Sequence, residues 1–125
     1  MLVFLSVAAG SAVGGCLRYG IGLMLGNTSL PYATLLCNCV GSFLIGFVSS
    51  FVLQKLGSDE FIKPLIVTGF LGGFTTFSTF SLDTLKLLQS DQLFYSISYV
   101  LISVVAGLLL VFAGFRLGDA LREFL

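Results

Sequence analysis

The chain has 125 residues, 57% of them apolar and 10% charged, with six basic against six acidic side chains and a mean hydropathy of +1.08. This leaves too little polar surface for a water-soluble domain, and scattered basic residues with no net charge make a poor nucleic-acid surface. Histidine is absent, which removes the commonest acid–base and metal-binding side chain; with no carboxylate pair and no serine beside a base, no enzyme is expected.

A single all-α membrane domain, 1–125, is expected, with spans at about 2–25, 30–53, 61–88 and 92–115. Each uncharged core approaches the roughly 20 residues that a crossing helix needs. The first span holds Arg18, a lone cation about two turns from the span's end. That position lets it snorkel to the interface or draw anions into a vestibule. Cys16, Cys37 and Cys39 lie within apolar runs and read as small buried residues.

The second span is uncharged, with Asn38 at its middle. A buried amide needs partners. Either it bonds across to another helix, or its N–H donors face an anion. Turn residues mark the connections at 26–29, 57–60 and 89–91.

The third span carries the strongest signal, Gly69 to Ser81, GFLGGFTTFSTFS. Three glycines and then five hydroxyl residues in seven make a poor membrane helix. The span is therefore expected to break near Gly73–Thr75. Irregular backbone at membrane depth requires protein cover or a polar cavity, and its freed groups can hold an ion. The alternative is a continuous helix whose hydroxyls bond back to their own carbonyls. Phe77 and Phe80 share a helical face, and Phe70 and Phe74 extend roughly the same side. Such a stripe is usually plain packing, although aromatic edges are electropositive and suit a small anion. Asp83 and Lys86 read as a surface pair.

In the fourth span Tyr95, Tyr99 and Ser103 recur every four residues as one polar line. Small-xxx-small pairs at Gly10/Gly14, Gly22/Gly26, Gly69/Gly73 and Gly114/Gly118 suggest close helix packing. Four short helices hardly enclose a pore and also cover it from lipid, so oligomerisation is expected. Lys55, Lys63, Arg116 and Arg122 fall on one side and Lys86 on the other. That bias leans towards an inside N-terminus, yet is small enough for insertion both ways.

Three motifs together resemble a known family, the small bacterial fluoride channels called Fluc or CrcB proteins. Gly14-Gly15-Cys16-Leu17-Arg18-Tyr19 is similar to the family's first-helix motif, and Asn38-Cys39-Val40-Gly41-Ser42-Phe43 to its second. Gly69 to Ser81 resembles its long third-helix signature, and the likeness spans essentially the whole chain. The resemblance implies an inverted, dual-topology homodimer in the cell's inner membrane, with two pores and passive export of fluoride that protects against its toxicity. It places Phe77 and Phe80 as pore aromatics, with Asn38, Ser78, Thr79, Tyr99 and Ser103 along the fluoride path and Arg18 in the vestibule. It also implies a sodium ion at the dimer centre, held by backbone carbonyls of Gly72 and Thr75.

Two other readings compete. A small four-helix multidrug or cation exporter would need a membrane-buried carboxylate, and none occurs before Asp59. A non-conducting assembly subunit would use the glycine pairs alone.

Overall fold

The computed structural model describes residues 1–26, 28, 30–55 and 60–124, and every regular element among them is a helix. Helix α1 is Leu2–Leu25 and α2 is Tyr32–Lys55. The span Pro64–Gln89 consists of two pieces, α3 (residues 64–74) and α4 (Phe77–Gln89). Helix α5, Leu93–Phe124, has 32 residues and runs past the expected end at 115. All four spans are long and apolar enough to cross a membrane. The turns read at Asn27, Ser29 and 57–59 lie outside the described residues. The turn after α4 closes at Asp91, whose φ of 55° is one that short polar residues tolerate.

Most large apolar side chains face outward, as lipid permits. The interior is thin and is built by close approach. Helix α1 packs along α3, and α2 along α5. Lipid tails are as apolar as leucine, so such helices associate through tight contact and not through water exclusion. A Cβ at Gly14 would run into the carbonyl of Phe70, and one at Gly73 would lie 2.6 Å from the Ser11 carbonyl. Gly46 and Gly114 play the same part between α2 and α5, against Val111 and Phe43. The expected pair Gly22/Gly26 makes no such contact within the chain, which leaves contact across a dimer as its other expected use. Space beside Gly22 is open, and Gly26 ends α1 at φ 66° with its N–H bonded to Gly22 O.

The cysteines divide. Cys37 is fully buried and Cys39 half-buried, whereas Cys16 is exposed on α1 and not buried as expected. Most of α3 is π-helical, so the Gly72 N–H reaches back five residues to Val67 O. Such wide turns are often found at functional sites in helices.

Candidate functional site: the broken third span

The third span breaks at Thr75 and Thr76, next to the predicted position. Thr75 (φ −89°, ψ 157°) and Thr76 (φ −153°, ψ 121°) are both extended. Thr75 closes α3, its N–H and Oγ1 both donating to Leu71 O at 3.0 and 2.9 Å. Thr76 opens α4 as its N-cap. Its Oγ1 accepts from the Thr79 N–H at 3.2 Å and donates to Thr79 Oγ1 at 3.0 Å. Hydroxyl caps of this kind satisfy the orphan amides of a helix start. The same oxygen lies 3.3 Å from Ser78 Oγ.

Two side chains from other spans grip the break. The Thr76 N–H donates to Asn38 Oδ1 at 2.8 Å, and Asn38 Nδ2 donates to Thr76 O at 3.0 Å. Of the two options open to Asn38, the interhelical bond is therefore made, and one Nδ2 hydrogen is left over. Arg18 Nε donates to Gly73 O at 3.1 Å, so this half-buried cation is anchored to the broken span. By contrast, no hydrogen bond from the described residues reaches the carbonyls of Gly72 or Thr75.

Asn38, Ser42, Gly72, Thr75, Thr76 and Phe77 help to line an open cleft of about 350 Å³ beside the break. Phe77 is 79% exposed, so within this chain its ring has little cover. It lies 5.6 Å from the Phe80 ring, which in turn lies 5.3 Å from the buried ring of Tyr99. Aromatic contacts therefore join α4 to α5. The hydroxyls of Tyr99 and Ser103 are buried; among the described residues neither makes a hydrogen bond of 3.5 Å or less, although the Thr34 hydroxyl stands close enough to act on that of Tyr99.

Several details depart from the sequence reading. The four phenylalanines are two pairs, because the break separates them. Phe70 and Phe74 stack at 6.0 Å on α3, with Phe74 buried. The line of Tyr95, Tyr99 and Ser103 is not one surface, since Tyr95 is half-exposed and touches Phe94. Ser81 bonds back to Phe77 O at 3.0 Å, as a hydroxyl in a plain helix does. Asp83 does not pair with Lys86. Its Oδ2 accepts from the buried Thr34 hydroxyl at 2.7 Å, and Arg122–Asp119 is the ion pair found among the described residues. Thr34 and Asp83 were missed as a unit. Thr34 stands one turn before Asn38 on α2, a spacing that puts both on one face. With Tyr32, Lys86 and Gln92 they line a second cleft of about 300 Å³ at the far end of α4.

The described residues include carbonyls at the break that no described donor reaches, and buried hydroxyls at Tyr99 and Ser103 without a close described partner. That set suits desolvation and passage of an ion better than covalent chemistry. Residues 5–115 match the family described as CrcB-like protein, Camphor Resistance (CrcB). A Rhizobium meliloti protein named "Fluoride-specific ion channel FluC" is 42% identical over 120 residues, covering 94% of this chain and 96% of its own length. A Listeria innocua protein named "Fluoride-specific ion channel FluC 2" is 42% identical over 120 residues, covering 96% and 93%. A Dehalococcoides mccartyi channel of the first name is 40% identical over 122 residues, covering 95% and 94%. With four apolar spans and relatives aligned along nearly their whole length, this multi-pass membrane protein belongs to the CrcB family.

Proposed function

We propose that the chain is a subunit of a fluoride-selective channel, exporting fluoride passively and protecting the cell from it. The observation that carries this reading is the pair of buried hydroxyls at Tyr99 and Ser103, behind Phe80, that lack a close described partner. A buried donor without a partner costs about 1–3 kcal/mol, a cost expected where an ion is the missing partner. The names of the relatives supply the ion. Fluoride is small and strongly hydrated, so conduction must replace its water with close donors. Ring edges at Phe77 and Phe80, hydroxyls at Ser78, Thr79, Tyr99 and Ser103, and the spare Asn38 N–H offer such contacts without a full charge. A fixed cation in the path would hold the ion too long; Arg18 has its Nε tied to Gly73 and serves the vestibule instead.

The working unit in this reading is an antiparallel homodimer in the inner membrane, with two pores and a central sodium ion. The exposure of Phe77 and Gly72 supports a partner on that face. A hard cation takes oxygen ligands, and the unengaged carbonyls of Gly72 and Thr75 fit that need. When bound, sodium would supply the positive charge that holds two broken spans together. Neither the family match nor the relatives' names favour the multidrug exporter.

Reconstitution into liposomes loaded with potassium fluoride or chloride tests the function. Fluoride efflux far exceeding chloride efflux is expected; no fluoride preference from protein shown to be folded ends the proposal.

A further inference from the structure

We infer that Asn38 is a positioning residue, whose main task is to hold the third span open at Thr76. The argument is one of hydrogen-bond accounting. In an unbroken helix the Thr76 N–H would donate to the carbonyl of Gly72, four residues back. In the extended conformation it cannot, and inside a bilayer no water replaces the lost partner. Asn38 resolves this with a complementary pair. Its Oδ1 takes the Thr76 N–H at 2.8 Å, and its Nδ2 gives a hydrogen to Thr76 O at 3.0 Å. A primary amide presents a donor and an acceptor side by side, the pattern that an extended residue shows on one edge. Asp carries two acceptors when ionised, and Ser and Thr hydroxyls are too short to span both groups.

The consequence reaches the carbonyls on either side. Because the Thr76 N–H is engaged by Asn38, Gly72 O keeps no helical donor. Because Thr76 Oγ1 caps the Thr79 N–H at 3.2 Å, Thr75 O keeps none either. Both free carbonyls therefore depend on Thr76 staying extended, and Asn38 holds the main chain of Thr76 from outside its own span. The inference rests on the channel reading only for its meaning in conduction; the geometry of the break stands apart from which ion passes.

Amide hydrogen exchange on the full-length protein in lipid nanodiscs tests it, with wild type, Asn38→Leu and Asn38→Ser compared at residue resolution. Leu is close to Asn in size and bonds to neither group; Ser is small and keeps some polarity. Exchange at Thr76 is expected to rise by at least about tenfold in both variants, with α1 and α5 unchanged. Wild-type protection at Thr76 in either folded variant overturns the inference, whatever becomes of fluoride flux. A rise spread evenly over all four spans also overturns it, because Asn38 would then serve stability at large. The readout uses no fluoride, so failure of the channel proposal would be seen separately.

Discussion

Arg18 and Gly73 lie 55 residues apart in the chain, yet the guanidinium Nε of one donates to the carbonyl of the other at 3.1 Å. This half-buried cation of the first span is thus spent on the backbone of another span, one residue from the first free carbonyl. Hydrogen bonds to charged groups contribute about 1.5–3 kcal/mol. Arg18→Met is expected to lose a stabilisation of that order and to shorten the life of the folded protein in detergent. Thermal unfolding followed by size-exclusion chromatography checks this; an unchanged midpoint would show that Arg18 stands free.

Phe77 and Phe80, the two aromatics proposed to line the pore, should behave differently. Phe77 is mostly exposed in the subunit, so Phe77→Ile is expected to leave folding unchanged and to cut fluoride efflux. Phe80 also packs on Tyr99, and such ring pairs are worth about 0.5–1.5 kcal/mol beyond burial. Phe80→Ile should therefore lower both stability and efflux. Liposome flux and thermal midpoints, measured on the same preparations, separate the two effects.

Tyr99→Phe and Ser103→Ala remove hydroxyls that lack a close described partner. A merely structural hydroxyl in that state is a burden of about 1–3 kcal/mol, so each variant should be at least as stable as wild type. If an ion is the missing partner, fluoride efflux falls while the melting point holds or rises. Full efflux in both variants would remove these residues from the path.

A Cβ at Gly72 would meet only Val67 O, at an ordinary 3.7 Å. Gly72→Ala should accordingly leave the subunit intact. If Gly72 O helps to hold a shared sodium ion, the variant should need more sodium to dimerise, and wild-type dimers should dissociate when sodium is replaced by a large organic cation. Analytical ultracentrifugation in detergent reads both; dimerisation indifferent to sodium would count against the cation.

The glycine contacts give a paired test. Gly46→Ala would push a methyl group into the Val111 carbonyl between α2 and α5, whereas Gly22→Ala enters open space. Overpacking costs typically about 1–3 kcal/mol, and the first should lower the thermal midpoint while the second leaves it alone.

Much of this arrangement is legible in the chain before any coordinates. Spans follow from length and apolarity, and the break follows from Gly69, Gly72 and Gly73 running into Thr75 and Thr76, because local preference there opposes a helix. What stayed hidden depends on neighbours distant in sequence. Nothing near Asn38 says that its amide meets the Thr76 peptide, and nothing near Asp83 says that it prefers Thr34 to the closer Lys86. Spacing rules also assume an unbroken helix. They joined Phe70 and Phe74 to Phe77 and Phe80 across the one place where that assumption fails, and they put Tyr95 in line with Tyr99 although only the latter is covered.

Helix α5 is long for its task. Its 32 residues extend about 48 Å at 1.5 Å per residue, against a hydrocarbon layer of about 30 Å. Even a strong tilt leaves its final turns beyond the acyl chains, where Arg116, Asp119 and Arg122 meet headgroups and water. Drawing that overhang into the acyl layer would strip water from its charged side chains, so a thicker bilayer meets resistance at this rim while a thinner one exposes more of the helix.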